Sequence, residues 1–441
     1  MQQVTLKKSG FIGYSALVIV GVSMSMSGTA FAEEHCPEGN EFSYCIEENG
    51  SATVDYFPII YSGAAITMGA NSTVFGDMQA VAAVTLGDAA EVQGSVLAGA
   101  AVTLEKDGKV AFDLRAGEAA TLGAAASVGG DLAAGADVFI GAESQVSGDL
   151  TSGGNAKLGA AAKVGGNTTA RTSVTLGADA KAGNDESAGN DESGGNVRAV
   201  SGPIILGVNT IVRGDAEAGG IISFGTNAKV LGIKMPYATP EDFTNEAEGP
   251  AGNKKDQLTQ KQKKLADTFV ETYNELNTTI DADRYFEPGV YHAAALTTTA
   301  GITLTFVGSG ERDEWLINTD TYISFGANLT ILLYDVEPGS SIIFNSGSYT
   351  TVGANSTITG TIFAGTYITT GANTTISGVG QDCGGMFTTN GAVTMGAGST
   401  FGSEYCSPLQ LQDGADDAGE EDAGEEGEHD NEDEYVTEGV D

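Results

Sequence analysis

One period constrains this chain more than any other feature: between Ala64 and Gly177 an apolar residue followed by glycine returns every 18 residues. The pairs are Met68-Gly69, Leu86-Gly87, Leu122-Gly123, Ile140-Gly141, Leu158-Gly159 and Leu176-Gly177, with Leu104-Glu105 as the variant. Val74, Val92, Val110, Val128, Val146 and Val164 follow in step, and so do Asp77, Ser95, Asp113, Asp131, Asp149 and Asn167. A fixed period of this size marks a solenoid, in which each turn of chain buries its apolar side against the turns above and below. The expected fold is therefore an all-β solenoid, a β-helix of about 18 residues per coil.

The same pattern assigns side-chain direction, because successive residues of a strand point to opposite faces. Ile66, Val84, Val102, Val138 and Val174, with the residue before each glycine, point inward. Between those two columns Thr67, Thr85, Thr103, Thr121 and Thr175 point outward, with Phe139 and Lys157 as exceptions. Coils stacked ~4.8 Å apart would align these hydroxyls in a straight ladder. Threonine is also simply a good strand residue, so the column alone does not establish a site.

After Gly177 the next matching glycine, Gly207, comes 30 residues later. Ala182 to Ser187 reads AGNDES and Ala188 to Ser193 repeats it, so removing 12 residues restores the step. A polar duplication of this kind is tolerated as a loop on one face of a solenoid. Two further coils follow at Gly207, Val212, Gly214 and Asp215, and at Gly225, Val230 and Gly232. Handedness stays open at this level, because Leu86, Val92, Ala98 and Leu104 also step by six, as in left-handed hexapeptide solenoids.

Pro236, Pro240 and Pro250 end the pattern, and from about Lys254 to Asn277 the period becomes helical. Leu258, Leu265, Phe269, Tyr273 and Leu276 share one stripe, and Lys254, Lys255, Lys261, Lys263 and Lys264 crowd the first half. The stripe predicts one long helix packed along the solenoid. Strands resume at Gly289 to Tyr291 and Ile302 to Phe306, and then the first pattern returns at Phe325-Gly326, Val352-Gly353, Thr370-Gly371 and Met395-Gly396. Two residues before each glycine stand Ser324, Thr351, Thr369 and Thr394, and two earlier again Tyr322, Tyr349 and Tyr367.

Catalysis finds little to work with. Histidines are confined to His35, His292 and His429, none of them in the repeat. No acid, base and nucleophile converge in the pattern, so no enzyme and no cofactor is expected. The column Asp77, Asp113, Asp131 and Asp149 could hold calcium between coils. The alternative is that these carboxylates accept backbone hydrogen bonds at corners, which calls for no metal.

The net charge of −39 makes nucleic acid and anionic membranes poor partners. Much of the acid lies between Asp413 and Asp441, a stretch too poor in apolar residues to bury a core. Lys7, Lys8, an apolar run around Ala16 to Val22 and Thr29-Ala30-Phe31-Ala32 form a secretory signal, with cleavage expected near Ala32 and no membrane span. In an exported chain Cys36, Cys45, Cys383 and Cys406 suggest two disulfides, the preferred pairing being Cys36 with Cys45 and Cys383 with Cys406.

The expected divisions are thus a signal peptide (1–32), a cap with Cys36 and Cys45 (33–63), a repeat region (64–235), a linker with the long helix (236–285), later coils (286–406) and an acidic tail (407–441).

From about Lys254 to Gly402 the chain resembles the secreted ice-binding proteins of cold-living bacteria, fungi and algae. The helix between runs of coils, EPGVYHAAALTTTAGITLTF (Glu287 to Phe306), TGTIFAGTYITTGANTTISG (Thr359 to Gly378) and NGAVTMGAGSTF (Asn390 to Phe401) carry the likeness. The resemblance implies a right-handed β-helix with one α-helix beside it, and adsorption to an ice or ordered-water surface. The site it points to is Ser324, Thr351, Thr369 and Thr394, with Thr67, Thr85, Thr103, Thr121 and Thr175 as the earlier members of the column. The extra coils before the helix are similar to bactofilins, which polymerise end to end. The alternative expectation is therefore an extracellular structural or adhesive scaffold, self-associating through solenoid ends without ice activity.

Overall fold

The protein is described by a computed structural model over residues 58–183, 195–238, 251–267, 273–380 and 383–403. The signal segment, Cys36, Cys45, Cys406, most of the AGNDES duplication, Phe269 and the acidic tail lie outside the described residues.

Every coil gives one short strand to each of three parallel sheets, of 16, 15 and 15 strands. Ile66 pairs with Val84, Val84 with Val102 and Val102 with Ala120, so the 18-residue period is the rung spacing. Across the duplication Val174 pairs with Ile204 and Leu176 with Leu206, which leaves the extra residues outside the ladder. The inward columns are buried as their period requires, Val84, Leu86, Val92 and Val128 completely. A β-carbon added to Gly87 would lie 2.8 Å from the Ala70 nitrogen, and one on Gly69 2.5 Å from the Ala397 nitrogen. The glycine column thus lets successive backbones close up at the end of each strand.

The next corner has an unusual backbone. Asn71, Ala89, Asp107, Ala125, Glu143, Ala161 and Asp179 all have φ between 53° and 62°. For alanine or glutamate this left-handed conformation costs about 1–2 kcal/mol. Each corner is held from outside: the Asn71 N–H donates to the Asp88 carbonyl, Ala89 to Lys106, Asp107 to Ala124 and Ala125 to Ala142, all at 2.8–2.9 Å.

Stacking order departs from chain order. Nine coils run from Ile60 to Val230, and six more from Asn274 to Phe401. The strand Ile60–Ser62 lies between Met78–Ala80 on one side and Gly385–Thr388 on the other. The last coil of the chain therefore stacks on the first. The column reads from Asn274 to Phe401 and then, without a break, from Ile60 to Pro236. Regular winding starts at Ile60, within the stretch expected to be a cap, because this strand is paired on both edges and buried.

The helix spans Ala251–Asp267. Asn274–Glu275, expected to continue it, is instead a strand paired with Tyr291–His292. Leu276 continues that rung, donating its N–H to the His292 carbonyl at 2.7 Å, and is buried in the coil core rather than against the helix. Its place on the helical stripe is a coincidence of period. Leu258 and Leu265 pack with Tyr61, Leu316, Ile343, Phe363 and Phe387, on the outer face of the first sheet. Those partners come from both series of coils, so the helix lies across the junction. At ~1.5 Å per residue its length matches about five coils. Asn318 caps it by donating to the Leu265 carbonyl at 2.9 Å, and Gln262 donates to the Ser346 carbonyl at 3.0 Å. Burial among these groups, with Lys264 adjacent, pulls the Lys261 ammonium down to about 8, and burial with Asp256 nearby pushes Tyr61 up to about 12.

Candidate functional site

The outward column of the second sheet becomes one line through the junction. Thr67 pairs with Thr394 on one side and Thr85 on the other. From Thr394 the line continues through Thr369, Thr351, Ser324 and Thr297 to Thr279. From Thr85 it continues through Thr103 to Thr121, then meets Phe139 and Lys157 before reaching Thr175. Thus ten consecutive rungs carry a hydroxyl, spanning roughly 43 Å at the usual strand spacing. Thr175 lies on the same line but is cut off by Phe139 and Lys157.

Inward neighbours hold these side chains outward. Ile66 and Met68 flank Thr67, and Val84 and Leu86 flank Thr85, with all four buried. Within the line Thr351 Oγ1 donates to Ser324 Oγ at 3.0 Å. The backbone on both sides of each strand is tied to the adjacent coil, and β-branching restricts the threonine χ1. The surface is consequently regular, uncharged and stiff.

Beside the hydroxyls runs a border column whose composition varies along the axis. Tyr322, Tyr349 and Tyr367 stack in parallel, with ring centroids 5.1 and 4.9 Å apart and planes within 6°. The border then becomes alanine. Ile368 donates to the Ala392 carbonyl, Val393 to Ala65, Ile66 to Ala83, Val84 to Ala101 and Val102 to Ala119, all at 2.9–3.1 Å. The following rung is Ala120 to Asp137.

Two hydroxyls on the line, Thr279 and Thr297, escape the glycine-based pattern because Asp281 and Thr299 occupy their glycine positions. A second column also escaped notice. On the third sheet Thr303, Thr330, Thr357, Thr375, Thr400 and Thr73 are paired in order. It stops at Glu91 and Lys109. Its sequence signal is a threonine six residues after Thr297, Ser324, Thr351, Thr369, Thr394 and Thr67.

The acidic column staples coils together. Asp77 Oδ1 accepts the Ser95 N–H at 2.7 Å, Asp113 that of Asp131 at 2.9 Å, Asp131 that of Asp149 at 2.7 Å and Asp149 that of Asn167 at 2.6 Å. Among the described residues no group of three or more His, Cys, Asp or Glu could hold a metal ion. Cys383 is disulfide-bonded. No helix among the described residues is long and apolar enough to cross a membrane.

A parallel β-helix with a docked helix and a straight hydroxyl face defines the structural class. Residues 209–401 match the family described as Ice-binding-like, which covers less than half of the chain. Similar solved structures include an ice binding protein from an Antarctic biological consortium, at 19% identity over 54% of this chain and 86% of that one, with a TM-score of 0.29. Another is the ice-binding protein of the Antarctic ascomycete Antarctomyces psychrotrophicus, at 18% identity over 45% and 90%, with a TM-score of 0.30. A third is the domain of Shewanella frigidimarina ice-binding protein 1, at 15% identity over 52% and 92%, with a TM-score of 0.30. No curated protein matches the chain.

Proposed function

We propose that this protein adsorbs to ice through the hydroxyl-bearing face of its second sheet, without catalysis. The observation that carries the reading is the unbroken run from Thr279 to Thr121 in a chain whose residues 209–401 match the ice-binding-like family. Short hydroxyl and methyl groups at regular spacing can hold a layer of water in a crystalline arrangement. A face already fixed by its rungs loses little conformational entropy on contact. The contact residues in this reading are Ser324, Thr351, Thr369 and Thr394, joined by Thr67, Thr85, Thr103 and Thr121, with Thr175 beyond the gap. Export through the N-terminal signal would place them outside the cell, where ice forms first.

The test is direct. Purified protein at micromolar concentration should facet growing ice crystals and separate melting from freezing temperature, and Thr369→Tyr should weaken both while leaving thermal unfolding unchanged. Round crystals throughout a concentration series would refute the reading. A second reading, self-association through a solenoid end, is favoured by the exposed Ile221, Phe224, Leu231 and Ile233 of the terminal coil. Filaments in electron micrographs would support it, and a monomer in light scattering at high concentration would exclude it.

A further inference from the structure

The family match begins at residue 209, so the eight coils from Ile60 to Val212 lie wholly or mostly outside it. We infer that the first four of these coils, together with the last coil of the chain, form the principal ice-contact plane. This rests on the ice-binding reading above and assigns its footprint.

Three neighbouring columns support the inference. In the coils of Thr394, Thr67, Thr85, Thr103 and Thr121 the border on one side is Ala392, Ala65, Ala83, Ala101 and Ala119. On the other side stand Gly396, Gly69, Gly87 and Gly123, with Glu105 as the one larger side chain. No group in this strip rises above a threonine except that glutamate. Apart from Glu105 on its glycine edge, the strip is therefore flat over five coils, four of them N-terminal. A crystal surface is itself flat, and a bulky or strongly hydrated group holds the lattice away from the groups beside it, so a continuous row of such groups costs far more contact than a single one.

The strip ends sharply at both limits. One coil beyond Thr121, two columns change together: alanine gives way to Asp137 and threonine to Phe139, which is 42% exposed. The next coil brings Asn155 and Lys157. In the other direction the stacked tyrosines replace alanine beside Thr369, Thr351 and Ser324. Tyr367 is 40% exposed and stands at the edge of that section. The coils of Ser324, Thr351 and Thr369, inside the matched segment, thus carry a walled face, and four of the five coils with the open one lie outside that segment.

The helix bridges the two parts from the outer face of the first sheet. Its contacts with Tyr61 on one side of the junction and with Phe363 and Phe387 on the other tie the first and last coils together. The Val393 N–H to Ala65 carbonyl bond, at 3.0 Å, closes the rung between them.

The experiment compares full-length variants by thermal hysteresis and ice-crystal shape, with thermal unfolding as the folding control. Thr85→Tyr and Thr103→Tyr should each cut hysteresis by more than half at unchanged melting temperature. Thr351→Tyr, placed beside an existing tyrosine wall, should reduce it less. Asp137→Ala with Phe139→Thr should extend the plane by one coil and raise hysteresis above wild type. Wild-type activity in Thr85→Tyr and Thr103→Tyr, with loss in Thr351→Tyr, would overturn the footprint while leaving ice binding intact. Wild-type protein that leaves ice crystals round would instead remove the underlying reading.

Discussion

The nine coils before the helix and the six after it solve the same packing problem with different cores. The first series is filled by valine, leucine and alanine at strictly repeating positions. In the second, Phe306 stacks on Phe286 at 5.0 Å and meets Trp315 and Phe344 edge-on at 5.7 and 6.2 Å. Rungs there are also longer, with Leu296 pairing with Ile323 and Ile323 with Thr350, steps of 27 residues. Narrow uniform coils give a straight, evenly ruled exterior. Wider coils enclose large aromatics and leave a less regular surface. A straight face is thus the product of a small-residue core, and it is found where that core is most uniform.

The contrast can be broken first at the core. Phe344→Ala should destabilise by about 3–5 kcal/mol, since a large buried ring leaves a cavity its wide coil cannot close. Val128→Ala in a narrow coil removes two methyl groups and should cost about 2 kcal/mol. Urea unfolding of the two variants measures both, and equal losses would contradict the difference drawn between the cores.

A smaller effect is expected at the corners. The later coils place Asn328, Asn355 and Asn373 at the positive-φ position, where the earlier ones mix Asn71, Asn209 and Asn227 with Ala89, Ala125, Glu143 and Ala161. Asparagine tolerates that conformation and adds a side-chain bond, Asn373 Nδ2 to Asn355 Oδ1 at 3.0 Å. Ala125→Gly should therefore stabilise by about 1 kcal/mol, seen as a raised melting temperature, whereas Asn355→Ala should lower it.

The smallest effect concerns the helix across the junction. Lys261 titrates near 8 when folded and at its usual 10.5 when unfolded, so between these values the unfolded chain binds more protons. Its contribution to stability accordingly rises with pH across that window. Tyr61, pushed up to about 12, acts oppositely and lowers stability as pH climbs from 10 toward 12. Lys261→Met should flatten the rise between pH 8 and 10 in a series of thermal melts.

Much of this architecture was legible in the residues. Glycine spacing located the coils, alternation placed Ile66 and Met68 inside and Thr67 outside, and the repeated AGNDES explained why Val174 reaches Ile204. The joining of the two series was not legible. Two stretches of the same period can abut at either end, and nothing local to Thr67 or Thr394 says that they are neighbours. The end of the helix failed for another reason: Leu276 fits a helical stripe and an inward strand position equally well, and only its pairing with His292 decides. Thr297 was hidden because a threonine, Thr299, replaces the marker glycine.

The place of Ile60–Ser62 has a consequence for biogenesis. These residues leave the ribosome before all other described strands, yet they end in the middle of the column, and the partner on one edge, Gly385–Thr388, is among the last to be made. Until that partner arrives, the earliest coil presents an unpaired parallel edge, the kind of template on which chains misassociate. Completion waits for a contact separated by more than three hundred residues, so closure of the column should be a slow, late event. Synthesis thus leaves the centre of the threonine line, between Thr67 and Thr394, as the last part to form.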